Sequence, residues 1–221
     1  MFLHGYLASS DSFVYQRDFF SKDFKVFAID FKGFGKNGGM EYPYSLDDYV
    51  VELVEYLNKN GIVKPHVVAH SFGARVAIKA LYKYPDLFDK LVVTGGAGLK
   101  PKRTLKKVVK KLTFNLLKRF CSRERLKGFY SPDYLALDPV MKESFRLIVG
   151  EHLDGVLPSI KNKTLLIYGK KDKETPVYMA KRFNKGLVNS SLSIYENAGH
   201  FCFIDCPLKF NLEVREFLLS E

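Results

Sequence analysis

A chain of 221 residues, 47% apolar and 14% aromatic, is long enough for one domain with a substantial core and too apolar to be disordered. No apolar run approaches the roughly 20 residues that cross a bilayer, and the motifs begin at Phe2, so we expect neither a membrane span nor a signal peptide. The net charge is +11, and residues 100–127 carry 12 of the 35 basic residues but one of the 24 acidic residues. Because the excess lies in one segment, we expect no nucleic-acid partner.

The three cysteines, Cys121, Cys202 and Cys206, are an odd number without the spacing of a disulfide framework. Two thiols without a set of ligand histidines make a poor metal site. His66 and His152 likewise have no neighbours that suggest a ligand set. We therefore expect reduced thiols, a cytoplasmic protein and no bound metal.

Short β-branched and aromatic runs alternate with helical patterns along the chain, which is typical of a parallel sheet wrapped by helices. The predicted strands cover residues 2–3, 26–30, 66–69, 91–94, 164–168 and 192–195. The predicted helices cover residues 45–61, 71–84 and 207–219. Ser45 and Asp48 match a capping box at the start of the first helix, and Gly61 ends it. The sequence therefore predicts an α/β fold with a mostly parallel sheet.

Two glycine-rich stretches follow predicted strands. "GFGKNG", residues 33–38, matches G-x-G-x-x-G, but a dinucleotide site needs the last glycine inside a starting helix. Here Gly39, Pro43 and the Ser45 cap come first, so we interpret the stretch as a turn. "TGGAG", residues 94–98, similarly marks the end of a strand.

Residues 99–158 contain no convincing strand and predict a helical cap inserted into a core formed by residues 1–98 and 159–221. Within this segment, "TLKKVVKKLTFNLLKRF" places apolar residues on one helical face and lysines on the other. One interpretation is a lid helix whose apolar face covers a pocket. The other is attraction of residues 100–127 to anionic lipid headgroups or to an acidic substrate carrier.

Ser71 stands at a predicted strand-to-helix junction, in "AHSFG". Such a sharp turn needs small neighbours, here Ala69 and Gly73, and it exposes the residue at its apex. The N–H of Phe72, which begins the helix, is free to face an oxyanion. His70, beside the serine, is interpreted as packed rather than catalytic.

Three further motifs accompany this junction, each after a predicted strand. "LHGYLASS" covers residues 3–10, "YGKKDKETP" covers 168–176 and "ENAGHFCF" covers 196–203. Together the four motifs resemble the α/β-hydrolase fold family over nearly the whole chain, with Ala69 in place of the first glycine of G-x-S-x-G. The order serine, aspartate, histidine and the position at the carboxyl ends of strands both fit this resemblance.

The resemblance implies a role for each motif. Ser71 would be the nucleophile, His200 the general base and acid, and Asp172 the carboxylate that orients His200, with Glu174 as a competitor that departs from the motif position. The second oxyanion N–H would come from Tyr6. His4 would be structural and would bond its loop.

The expected reaction is acyl transfer to water from an ester or thioester, without a cofactor, and cleavage of a carbon–carbon bond stays open. A serine at this turn disfavours haloalkane dehalogenases and epoxide hydrolases, which use an aspartate there. The substrate is expected to be a small molecule with an apolar group. Its predicted pocket includes Leu7, Leu112, Phe114, Leu116, Leu117 and Phe201.

Two alternatives come from other functional classes: a non-catalytic ligand-binding relative, and a membrane-surface protein that acts through residues 100–127. Members of the family usually have two further strands before the His-Gly motif. Here residues 1–3 are all that precede His4, so we expect either a minimal domain or a truncated start. The oligomeric state stays open.

Overall fold

Six parallel strands form one sheet in the computed structural model, which describes residues 1–102 and 132–220. The strands are β1 (Phe2–Leu3), β2 (Ala28–Ile29), β3 (Val67–His70), β4 (Leu91–Thr94), β5 (Thr164–Gly169) and β6 (Ser190–Tyr195). Their order across the sheet is β2-β1-β3-β4-β5-β6. This arrangement confirms the predicted α/β fold with a mostly parallel sheet.

Helices connect the strands, as parallel pairing requires. They are α1 (Val14–Phe20), α2 (Leu46–Lys59), α3 (Phe72–Lys83), α4 (Pro132–Ala136), α5 (Pro139–Gly150), α6 (Val177–Gly186), α7 (Cys202–Asp205) and α8 (Pro207–Leu219). Single 3₁₀ turns occur at Ser10–Phe13, Gly35–Asn37 and Leu157–Ser159. Among the described residues, no helix has the length and apolarity that a membrane crossing requires.

The strand register aligns the carboxyl ends of β1, β3 and β4, so the loops that follow these strands lie at the same end of the sheet. Leu3 of β1 pairs with Ala69 of β3, and His70 pairs with Thr94 of β4. Strands β3, β4 and β5 are buried along their whole length. Because the strands are parallel, their carboxyl ends and the loops that follow them meet at the same edge.

The first half of the sheet departs from the prediction in two places. The strand expected at 26–30 is reduced to Ala28–Ile29 because the partner it pairs with, β1, is two residues long. Helix α1 was not predicted, since its seven residues are too few to show a clear period. It buries Phe20 and packs against α8.

Helix α2 has the predicted capping box, in which Ser45 N–H donates to Asp48 Oδ2 at 2.7 Å and Asp48 N–H donates to Ser45 Oγ at 3.3 Å. Gly61 has a φ of +60° just beyond the helix, a conformation that glycine adopts at little cost. One face of α2 is apolar and buried. Its buried members are Leu46, Tyr49, Val50, Leu53 and Leu57.

Helix α5 is hydrogen-bonded to the loop after β1, to the segment before α2 and to α3. The Tyr6 hydroxyl donates to Met141 O at 3.1 Å, and Ser144 Oγ donates to Tyr44 O at 2.7 Å. At the other end of α5, Arg75 Nη1 donates to the carbonyls of Ile148 and Glu151, both at 2.9 Å. The amphipathic helix predicted at 104–120 lies outside the described residues.

Candidate active site

Ser71 lies between β3 and α3 with a strained backbone, φ +48° and ψ −103°. This conformation costs a non-glycine residue about 1–3 kcal/mol and recurs at functional sites. Close packing maintains it: a methyl group on Gly73 would lie 2.4 Å from the carbonyl oxygen of Leu3. Ser71 N–H donates to Thr94 O at 3.1 Å, which joins the turn to the end of β4. The small residue at 73 is therefore required by the sharp strand-to-helix turn.

The loop after β1 lies against this turn. His4 Nδ1 donates to Gly5 O at 2.7 Å, and Phe31 N–H donates to His4 Nε2 at 3.1 Å, so His4 bonds the loop as predicted. Burial lowers the pKa of His4, so the ring is neutral. A methyl group on Gly5 would lie 3.6 Å from Ser71 Cβ. The loop and the nucleophile candidate are therefore in contact.

The backbone N–H groups of Tyr6 and Phe72 both lack an acceptor among the described residues. Leu7, which follows Tyr6, has a φ of +59° inside a turn closed by the bond from Ala8 N–H to Gly5 O at 3.2 Å. A leucine in the left-handed region is a second strained position in this loop. The aromatic ring of Tyr6 packs edge-on against that of Phe72 at 5.7 Å.

Asp172 follows β5 and is the focus of a dense hydrogen-bond network. Its Oδ1 accepts the N–H groups of Glu174 at 2.8 Å and Thr175 at 2.9 Å, while its Oδ2 accepts the Thr175 hydroxyl at 2.7 Å. Burial opposes ionisation, but the hydrogen bonds from His200 and Thr175 outweigh it and hold the pKa of the Asp172 carboxyl below its usual value. The carboxylate is therefore charged at neutral pH.

His200 follows β6 and donates from Nδ1 to Asp172 Oδ2 at 2.8 Å. The Thr175 hydroxyl lies 3.3 Å from the same nitrogen. Gly95 lines the ring closely, because a methyl group there would lie 3.0 Å from Nδ1 and 3.2 Å from Cε1 of His200. The structure thus brings together the predicted base and the predicted orienting carboxylate, and not Glu174.

No hydrogen bond joins Ser71 to His200 in the described part of the chain, but residues next to Ser71 contact His200. The ring of His70, the residue before Ser71, lies 4.7 Å from the ring of His200, centroid to centroid. Thr94 bonds to Ser71, and the next residue, Gly95, contacts His200. Nucleophile–base hydrogen bonds are often long in unliganded enzymes and tighten when substrate binds.

The predicted pocket is described in part. Leu7 is 52% exposed and Phe201 is 41% exposed, and the Phe201 ring lies 5.4 Å from that of His200, centroid to centroid. The other predicted members, Leu112, Phe114, Leu116 and Leu117, lie outside the described residues.

Sequence reasoning missed Gly95 and Thr175. Gly95 was visible only as part of a glycine-rich strand end, and Thr175 only as the residue before Pro176. Neither carries a signal that links it to His200.

Comparison with known proteins gives a consistent family. Residues 1–121 match the family model described as the α/β-hydrolase fold. A 2-hydroxy-6-oxononadienedioate/2-hydroxy-6-oxononatrienedioate hydrolase from a Pseudomonas species is 24% identical, over 90% of this chain and 79% of its own. The Bacillus subtilis hydrolase YugF is 26% identical, over 98% of this chain and 88% of its own.

Solved structures agree with this family. The meta-cleavage product hydrolase CumD from Pseudomonas fluorescens IP01 shares 25% identity and a TM-score of 0.75, over 98% of this chain and 89% of that one. The esterase EaEST from Exiguobacterium antarcticum shares the fold at 22% identity and a TM-score of 0.79, over 99% of this chain and 91% of that one. The chain therefore belongs to the α/β-hydrolase fold family and is a hydrolase of that family.

Proposed function

We propose that this protein is a serine hydrolase that cleaves a carboxylic ester or thioester through a covalent acyl-enzyme. Ser71 is the nucleophile, His200 the general base and acid, and Asp172 the group that orients His200. The hydrogen bond from His200 to Asp172, beside the strained turn at Ser71, is the observation that carries the proposal.

In the first half of the reaction, Ser71 Oγ attacks the carbonyl carbon while His200 Nε2 takes the hydroxyl proton. The developing oxyanion is stabilised by the free N–H groups of Phe72 and Tyr6. The carbonyl carbon then loses its alcohol or thiol, which receives the proton from His200. Asp172 stays ionised throughout and stabilises the imidazolium form of His200.

In the second half, water replaces the leaving group. His200 takes a proton from the water as its oxygen attacks the acyl carbon, and the same two N–H groups hold the oxyanion. Collapse of this intermediate breaks the bond to Ser71 Oγ, which regains its proton from His200. The products are one carboxylic acid and one alcohol or thiol, and the enzyme returns to its starting state.

The proposed substrate carries an apolar acyl or aromatic group. Leu7 and Phe201 support this assignment, because both are large, exposed apolar side chains beside the proposed triad. We also propose that residues 99–158 act as a cap over the core of residues 1–98 and 159–221. The bonds of α5 to Tyr6 and Arg75 support this division.

A second candidate reaction is hydrolysis of a carbon–carbon bond in a dienedioate or related ketone. The relative from Pseudomonas and the CumD structure favour it, since both are hydrolases whose names specify such substrates or meta-cleavage products. The same serine, histidine and aspartate would serve, with a carbanion in place of the alkoxide or thiolate as leaving group.

The test is labelling with a fluorophosphonate probe, together with turnover of p-nitrophenyl butyrate, butyryl thioester and 2-hydroxy-6-oxononadienedioate. The variants are Ser71→Ala and His200→Gln, and Ser21→Ala is the matched control because Ser21 lies at the far end of α1. We expect labelling and ester turnover to be lost in the first two variants and retained in the control. Preferred turnover of the dienedioate would assign the second reaction instead.

An unlabelled wild-type protein with an intact fold would contradict the proposal and leave the non-catalytic binding role. Labelling that persists in Ser71→Ala would place the nucleophile elsewhere. Circular dichroism and thermal unfolding of each variant establish that a loss of activity is not a loss of folding.

A further inference from the structure

His70 is a buried, neutral ring held between the proposed catalytic loops. It ends β3 and is 1% exposed. Its Nδ1 donates to Thr94 O at 3.0 Å, and because a carbonyl only accepts, this nitrogen carries the proton. Burial lowers the pKa of His70 to about 3. The nearby rings of His200 and His4 also lower it, whereas Asp172 raises it. The ring is therefore neutral at neutral pH.

The ring of His70 lies against that of His200. The two centroids are 4.7 Å apart and the planes are inclined by 56°. Two other groups contact the His200 ring. Asp172 Oδ2 accepts a hydrogen bond from its Nδ1. A methyl group on Gly95 would lie 3.0 Å from the same nitrogen. His70, Asp172 and Gly95 together limit the rotation of the His200 ring.

His70 itself has little room to move. A methyl group on Gly5 would lie 2.8 Å from its Cδ2, so the loop after β1 closes over one edge of the ring. Its centroid lies 4.9 Å from that of Phe201 and 5.1 Å from that of Phe203. Removal of the ring would therefore leave a void directly beside His200, and loops that surround a void relax only in part.

We propose that His70 is a positioning residue. Its neutral ring is fixed by the hydrogen bond to the Thr94 carbonyl and packs against His200. This packing keeps His200 in the orientation in which it transfers a proton from Ser71 to the leaving group. This inference rests on the proposed function, which makes His200 the base. A neutral ring also adds no positive charge beside the imidazolium that forms in each half of the reaction. A cation at this distance would oppose that step.

Three variants of His70 distinguish the contribution of the aromatic ring from that of its hydrogen bond to Thr94. His70→Phe keeps an aromatic ring but cannot donate to Thr94, His70→Asn keeps a donor near the position of Nδ1 without the ring, and His70→Ala has neither. His66→Ala is the matched control, because His66 precedes the opposite end of the same strand. For each protein, kcat and KM are measured with p-nitrophenyl butyrate, and the melting temperature is measured by thermal unfolding.

We expect His70→Ala and His70→Asn to lower kcat by ~10- to 100-fold with little change in KM, because a misplaced base acts on bound substrate. His70→Phe should recover about tenfold of the kcat lost in the alanine variant.

A readout independent of turnover is the proton NMR signal of the hydrogen bond between His200 Nδ1 and Asp172. We expect the signal in the wild type and in His70→Phe, and its loss by exchange in His70→Ala. An unchanged NMR signal in His70→Ala would overturn the proposal, if kcat also equals that of the wild type once the fraction of folded protein is accounted for. So would full activity in His70→Asn combined with loss in His70→Phe, since the bond to Thr94 would then be the important feature.

A result that contradicts the proposed function differs from one that contradicts the role of His70. Labelling that survives Ser71→Ala contradicts the assignment of the nucleophile, whatever the His70 variants do. The NMR signal reports on support of His200 even in a protein that turns over none of the tested substrates.

Discussion

Gly95 and His200 approach so closely that a methyl group on Gly95 would lie 2.9 Å from the His200 carbonyl oxygen and 3.0 Å from Nδ1. Gly95 also has a φ of +54°, which L side chains rarely adopt. The end of β4 thus leaves room for His200 only because it has no side chain there.

Gly95→Ala should therefore lower kcat by ~100-fold, because the added methyl displaces the proposed base by a few tenths of an ångström or more. Gly61→Ala is the matched control, since Gly61 has a φ of +60° and nothing within 4 Å of an added Cβ. Both variants should lose about 1 kcal/mol of stability from backbone strain. Equal activity of the two variants in the ester assay would refute a steric role for position 95.

Asp172→Asn should lower kcat by ~10³- to 10⁴-fold, because an amide cannot hold His200 in the tautomer with Nδ1 protonated. Glu174→Gln is the control, because Glu174 is a nearby acidic residue that does not accept the hydrogen bond from His200. Steady-state kinetics compare the two variants. If Glu174→Gln lowered kcat more than Asp172→Asn did, Glu174 and not Asp172 would be the carboxylate that orients His200.

Asp172 should also contribute to acid unfolding. The pKa of its carboxyl is lower in the folded state than in the unfolded chain. Its contribution to stability is therefore present above the unfolded value of about 3.9 and is lost as the pH falls through the folded value. Urea unfolding at pH 2 to 7 checks this: the difference in unfolding free energy between wild type and Asp172→Asn should shrink below pH 4. A difference that stays constant with pH would contradict the assignment.

Glu52 on α2 predicts the opposite pH dependence. Burial raises the pKa of its carboxyl to about 7, even though Lys32 N–H donates to both its oxygens and Asn37 to one of them. A raised folded pKa means that the stability relative to Glu52→Gln is greatest below about pH 4.3 and falls as the pH rises through 7.

The expected loss between pH 5 and pH 8 is on the order of 1 kcal/mol, reduced by the partial exposure of the carboxyl. Urea unfolding of the wild type and Glu52→Gln at the two pH values measures it. Glu55→Gln, at an exposed position on the same helix, is the control variant. A rise in relative stability from pH 5 to pH 8 would show that the sign is wrong.

Arg75 on α3 joins the helix that begins at the nucleophile to the end of α5. It is buried, donates to the carbonyls of Ile148 and Glu151, and has its pKa lowered to about 10 by burial. Arg75→Met should cost about 2–3 kcal/mol of unfolding free energy, because both carbonyls lose a charged donor.

Arg146→Met is the control for that substitution, since Arg146 forms an exposed pair with Glu143 on α5 and should cost less than about 0.5 kcal/mol. Chemical unfolding of both variants provides the comparison. Costs of similar size would show that the contacts of Arg75 do not stabilise the association of α5 with α3.

The sequence by itself determined the features that depend on local backbone chemistry. Small residues at 69 and 73 predict a sharp turn at Ser71, the pair Ser45 and Asp48 predicts a helix start, and Gly61 predicts its end. Each works within a few residues, so its pattern can be read along the chain. The parallel sheet followed from the alternation of short apolar runs with helical periods.

Tertiary structure decided the features that depend on which loops meet. Gly95 contacts His200 across 105 positions of the chain, and Arg75 reaches Ile148 across 73. β2 was shortened because a strand extends only as far as its partner does. Nothing in the composition around these residues reports such encounters, because they arise when packing brings the ends of separate strands to one edge of the sheet.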